Sequence, residues 1–134
     1  MITRGEEDYL RTIYEIWIDV GEVHSVEVAR RLGVSKPSVR KTLDVLERDG
    51  YVEPSHYGPV HLTEEGRAEG RRLHDRYVVI ERFLAENLGV EKGLAAEEAH
   101  GIEHSISYDT GRRLEDYMRD RLRARDGARA GHEE

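Results

Sequence analysis

Two short amphipathic segments separated by a glycine constrain this chain more than any other feature. Ser25, read as an N-cap, precedes Val26-Glu27-Val28-Ala29-Arg30-Arg31-Leu32, where Val28 and Leu32 share one helical face, and Gly33 stands at the C-terminal stop. Ser35-Lys36-Pro37-Ser38 then opens another helix. Proline is acceptable in a first turn, where its missing N–H would have no intrahelical acceptor, and Val39, Leu43 and Leu46 carry the inward face until Asp49-Gly50. Two helices joined through Gly33-Val34 predict a helix-turn-helix.

The flanking segments extend this motif. Asp8 to Val20 places Tyr9, Leu10, Ile13, Tyr14, Ile16 and Trp17 on a broad apolar stripe ending at Gly21, which predicts a preceding helix. After the motif the period changes: Tyr51-Val52-Glu53 and Val60-His61-Leu62, with Pro54 to Pro59 between them, predict a small β-hairpin wing. Thr63-Glu64-Glu65-Gly66 begins a long helix with Leu73, Tyr77, Ile80 and Leu84 inward. Leu94 to Ser107 reads as helix, and Asp109 as the cap of a last helix through Leu122. The expected fold is mainly α with a β-hairpin wing: a winged helix-turn-helix over 1–62, a second helical domain over 63–124, and a frayed, disordered tail over 125–134.

Composition narrows the chemistry. There is no cysteine, so thiolate metal sites and disulfides are excluded and every metal ligand must be N or O. The charged start, Thr3 to Asp8, is unlike a signal peptide, and no run approaches the roughly 18 apolar residues of a membrane span, so a cytoplasmic location is expected. The apolar content is lean enough that a homodimer would help bury surface, with Leu114, Tyr117 and Met118 of the last helix expected in its interface. Net charge is −7, yet residues 25–61 carry +1 and the remainder −8. The acid lies outside the helix-turn-helix segment.

That segment reads as a nucleic-acid head. From Ser35 through Leu43 there is no acidic residue, while Lys36, Arg40 and Lys41 are cationic and Ser35, Ser38 and Thr42 can hydrogen-bond. Ser35, Lys36, Pro37, Ser38, Arg40 and Lys41 are therefore candidate contacts to double-stranded DNA, joined by His56 and Tyr57 at the wing tip. The competing reading makes them the solvated face of an ordinary helix.

The second half carries His100-Gly101-Ile102-Glu103-His104. On a helix, the i, i+3 and i+4 spacing turns two imidazoles and a carboxylate toward one side, a donor set suited to Fe(II), Mn(II) or Zn(II). The same His-x-x-Glu-His pattern occurs in inverted zinc peptidases. Such an enzyme needs a further ligand and a substrate cleft, and only 30 residues follow His104. No enzymatic activity is expected.

Taken together, Glu7-Asp8-Tyr9-Leu10-Arg11-Thr12-Ile13-Tyr14, Val34-Ser35-Lys36-Pro37-Ser38-Val39, Leu62-Thr63 with Gly66, and Gly101-Ile102-Glu103-His104 resemble the diphtheria toxin repressor family of metal-dependent transcription regulators. The resemblance spans nearly the whole chain and is strongest to the short manganese transport regulator branch. It implies a homodimer that binds a palindromic operator, with a metal ion joining the DNA-binding and dimerisation halves, and repression of metal uptake as output. Carried over by residue, it implies Asp8, Glu103 and His104 as ligands. Three positions depart: Arg11 and Tyr77 stand where that branch has glutamate and histidine, and His100 where it has glutamate. A binuclear manganese site is thus incomplete here. Glu81 matches a glutamate of the iron branch's ancillary site, and His74 lies one turn before Tyr77 as another possible replacement. The expectation is one principal site of Asp8, His100, Glu103 and His104 holding Fe(II) or Mn(II), with Zn(II) as competitor. A winged-helix regulator sensing an organic ligand, or a nonregulatory interaction module, are the alternatives.

Overall fold

The structure is a computed structural model that describes residues 2–55 and 57–132. Its helices are α1 (Arg4–Val20), α2 (Ser25–Leu32), α3 (Lys36–Arg48), α4 (Glu64–Arg82), α5 (Lys92–Ser105) and α6 (Tyr108–His132), with a π-helical turn at Phe83–Asn87 after α4. Two compact units result, Met1–His74 and Asp75–Glu134.

In the first unit, α1 starts with a reciprocal cap: the Glu6 N–H donates to Thr3 Oγ1 at 3.2 Å and the Thr3 N–H to Glu6 Oε2 at 3.3 Å. Leu10, Ile13 and Ile16 of this helix are fully buried, together with Val28 of α2 and Val39 and Leu46 of α3. Gly33, at φ 65°, ends α2 by donating its N–H to the carbonyls of Ala29 and Arg30, a left-handed conformation that favours glycine. The Ser35 hydroxyl caps α3 by accepting the Ser38 N–H at 3.2 Å. At the start of α2 the expectation fails. Ser25 is already helical, and His24 is the cap residue without a side-chain hydrogen bond.

The hairpin expected between α3 and α4 is reduced to two isolated antiparallel bridges, Val23 with Val60 and Val52 with Leu62. The Glu53 N–H reaches the His61 carbonyl at 2.8 Å and the Val60 N–H reaches that of Val23 at 2.7 Å. Each arm is short and ends beside a proline, which has no N–H to extend a ladder. Thr63 then fastens the entry to α4, donating to the Gly50 carbonyl at 2.6 Å and accepting the Gly66 N–H at 3.0 Å. A Cβ on Gly66 would stand 1.9 Å from the Tyr51 carbonyl oxygen, so only glycine fits at this distance.

The second unit packs Ile80, Leu84, Ala95, Ala99 and Met118 together, flanked by Tyr77, Phe83, Ile102 and Leu114. Of the residues expected in a dimer interface, Met118 is buried and Leu114 packs against the unit's own core, while Tyr117 is 54% exposed. Ser107, not Asp109, caps α6, its Oγ accepting the Thr110 N–H at 3.1 Å. Asp109 lies inside the first turn. This helix also continues to His132, into the 125–134 segment expected to be a frayed tail, consistent with the high helix propensity of its Arg and Ala residues. No helix among the described residues is long and apolar enough to cross a membrane.

Candidate metal centre and reading helix

The donors on α5 are positioned by a helix with a strong start. Glu91 accepts the N–H groups of Gly93 and Leu94, each at 3.0 Å, and these bonds hold its carboxyl below the usual carboxylate range. Ala95 and Ala99 are fully buried, which turns the opposite side of α5 outward. His100 and His104, one turn apart, bring their rings to a centroid separation of 4.5 Å at an interplanar angle of 68°. Glu103 precedes His104 on the same helix and is half-buried. Two imidazoles at this spacing, beside a carboxylate and with no thiolate anywhere in the chain, fit a borderline divalent cation bound through N and O.

The remaining candidates lie on α1 and α4. Asp8 lies on α1, half-buried, with its Oδ1 3.7 Å from Arg11 Nη2. Glu81 is on the last turn of α4 and half-buried. His74 is held within the first unit, its Nδ1 3.2 Å from Glu15 Oε2. Tyr77, which stands where the resemblance implies a histidine, donates its hydroxyl to the Ala96 carbonyl at 3.1 Å, a structural tie between α4 and α5. A buried arginine was not foreseen. Arg76, 5% exposed, lies 5.4 Å from the Tyr108 ring centroid, and its Nε is 4.0 Å from Glu115 Oε2 without a hydrogen bond among the described residues. Gly111 makes room for it, since a Cβ there would stand 1.8 Å from Arg76 Nη2. Nothing in the local sequence pattern distinguishes Arg76 from the exposed arginines near it.

On the reading helix, Ser35, Lys36, Pro37, Ser38 and Lys41 are exposed, while Val39 between them is fully buried. The buried valine fixes the helix against the core and leaves its first turn outward. Arg40 is tied to Asp44, with Nε at 3.1 Å and Nη2 at 2.9 Å from Oδ1. This i, i+4 pair was readable from the spacing and had been missed. Tyr57 is 93% exposed. His56 lies outside the described residues. On α2, hydrogen bonds from Arg30 and Arg31 lower the Glu27 carboxyl to about 2, so the cations nearest the turn are partly neutralised by their own helix.

Comparison with known proteins places the chain. The iron dependent repressor N-terminal DNA binding domain matches residues 1–60, and the iron dependent repressor metal binding and dimerisation domain matches residues 63–128. The transcriptional regulator MntR of Salmonella typhimurium is 38% identical over 104 residues, covering 78% of this chain and 66% of the relative. The HTH-type transcriptional regulator MntR of Lysinibacillus sphaericus is 31% identical over 118 residues, covering 88% of this chain and 84% of the relative. A solved structure described as a manganese-dependent transcriptional repressor in complex with manganese superposes with a TM-score of 0.71 at 27% identity, covering 84% of this chain and 52% of that one. The chain therefore spans just under two thirds of the Salmonella relative and about half of that structure. With both of its halves matched in order, the chain belongs to the iron-dependent repressor family, the diphtheria toxin repressor family.

Proposed function

We propose that the chain is a cytoplasmic, metal-dependent transcriptional regulator that binds a palindromic operator as a homodimer and represses metal uptake in response to Fe(II) or Mn(II). The observation that carries this reading is the His100–His104 ring pair on α5, present in the same chain as a helix-turn-helix whose exposed first turn is free of acid. The manganese-bound repressor among the related structures supports the choice of metal.

In this reading residues 1–62 form the DNA-binding domain, with the bridged segment between α3 and α4 acting as a wing, and residues 63–124 form the metal-binding and dimerisation domain. Ser35, Lys36, Pro37, Ser38, Arg40 and Lys41 enter the major groove, and His56 and Tyr57 meet the backbone beside it. Arg40 exchanges Asp44 for a phosphate or a base edge when it does so. His100, Glu103 and His104 on α5 and Asp8 on α1 would hold the cation, and Glu81 is an accessory donor. When bound, the cation supplies a concentrated positive charge to be shared by these donors. Asp8 and the α5 donors are satisfied together only at one angle between the two domains, so their common ligation favours that angle over others by differential affinity. The two reading helices of a dimer are then held about 34 Å apart, one turn of DNA.

The test is operator binding titrated with Mn(II), Fe(II), Zn(II) and Co(II) under anaerobic, metal-buffered conditions. Binding stimulated by Mn(II) or Fe(II) at lower free concentration than the others supports the proposal. Binding indifferent to every metal transfers the chain to the regulators that sense an organic ligand.

A further inference from the structure

Beside Asp8 the chain carries a cation of its own. Arg11, one turn further along α1, approaches Asp8 Oδ1 at 3.7 Å through Nη2 and donates to Glu15 Oε1 at 3.3 Å through Nη1. The other oxygen of Glu15 meets His74 Nδ1 at 3.2 Å. This alternation of Asp8, Arg11, Glu15 and His74 lies inside one compact unit. The Arg11 side chain is only 11% exposed, so its charge is incompletely screened by water.

We propose that Arg11 is a built-in competitor for Asp8 and so sets the threshold at which the chain responds to metal. A divalent cation approaching Asp8 shares the carboxylate with a guanidinium that is already paired to it. Glu15 makes the arrangement adjustable, because it gives Arg11 a second carboxylate and lets Asp8 turn to another charge without leaving the guanidinium unpaired. His74, on the far oxygen of Glu15, anchors that carboxylate and is thereby a positioning residue, not a ligand. Even with full water-like screening, repulsion between a dication and a unit charge about 6 Å away weakens binding by about tenfold, and the partial burial of Arg11 makes this a lower limit. The proposal rests on the reading of Asp8 as a ligand.

The experiment measures Mn(II) affinity of the full chain by competition with a fluorescent chelator, without DNA, for the parent, Arg11→Gln, Arg11→Lys, Glu15→Gln and Asp8→Asn. Circular dichroism reports the helical content of each. Arg11→Gln should bind Mn(II) at least about tenfold more tightly than the parent. Arg11→Lys, which keeps the charge, should stay close to the parent. Glu15→Gln should bind more weakly, because the guanidinium then falls wholly on Asp8; this second variant tests the idea independently if Arg11→Gln does not fold. The gain from Arg11→Gln should shrink in the Asp8→Asn background, as coupling between contacting residues requires. Weaker binding by Asp8→Asn with no change in Arg11→Gln, or tighter binding by Glu15→Gln, overturns the competitor role and leaves Asp8 as a ligand. An unchanged affinity in Asp8→Asn overturns both.

Discussion

Tyr77 and Ala96 are joined by a 3.1 Å hydrogen bond from the phenol of one to the carbonyl of the other, fastening α4 to α5 inside the second unit. Tyr77, at the position where the resemblance implies a histidine, thus serves the helix that carries the candidate donors. Tyr77→Phe should cost about 1 kcal/mol of stability, the net worth of one hydrogen bond. Its Mn(II) stoichiometry should equal that of the parent. Chemical denaturation and metal titration together check this, and a loss of bound metal without a loss of stability would make Tyr77 a ligand after all.

Two variants separate holding the metal from responding to it. His104→Ala should abolish metal-stimulated operator binding while helical content and weak metal-free affinity persist, because an exposed donor is removed and no core side chain is lost. Asp8→Ala should still load metal on α5, though more weakly, but without activation. The parent must bind metal more tightly when operator is present, by reciprocity of linkage, and this difference should vanish in Asp8→Ala. Equilibrium metal binding with and without operator reads it directly, and full metal activation of Asp8→Ala would assign the connection to another residue.

The Arg40–Asp44 pair leaves one cation of the reading helix partly neutralised before it meets DNA. Arg40→Ala and Lys41→Ala should each weaken operator binding and reduce the slope of log affinity against log salt by about one. Asp44→Asn should act oppositely, tightening binding roughly two- to fivefold, the scale of one exposed ion pair. Fluorescence anisotropy over a salt series measures all three, and identical salt slopes throughout would remove α3 from the groove.

Gly66→Ala should destabilise the first unit by about 1–3 kcal/mol, since the new methyl meets the Tyr51 carbonyl oxygen and a backbone group must move to admit it. Thermal unfolding followed by circular dichroism gives the shift. Gly101→Ala, on α5 with nothing within 4 Å of the added carbon, is the control that should leave stability unchanged or raise it.

The parts of this fold that could be read from sequence are those specified by local chemistry. Gly21 and Gly33 end their helices because positive φ favours glycine, Ser35 caps α3 because its hydroxyl reaches the Ser38 N–H, and Val39, Leu43 and Leu46 share one face by period alone. The errors lie where two local signals compete. Ser25 and Asp109 both look like caps, but each sits inside its helix, one residue beyond His24 and two beyond Ser107. Burial of Met118 depends on partners far away in sequence, Ile80, Leu84 and Ala95, which no window of the last helix contains. The candidate site divides in the same way. The His100–His104 pair follows from i, i+4 spacing, as does the embrace of Arg11 by Asp8 and Glu15, whereas the contact between Glu15 and His74 spans 59 residues and required the tertiary structure.

The turn at Gly33 has one more implication. It is closed by main chain alone, Gly33 N–H to the carbonyls of Ala29 and Arg30 and Val34 N–H to that of Ala29, and the core beneath it is held by Val28, Val39 and Leu43. Lys36, Ser38 and Lys41 project from this frame as exposed side chains outside that core. On the proposed reading of α3 they form an exchangeable cassette. Rewriting those three positions should redirect the base sequence recognised while the scaffold beneath keeps its shape, which makes this short chain a suitable frame for building regulators with new operators.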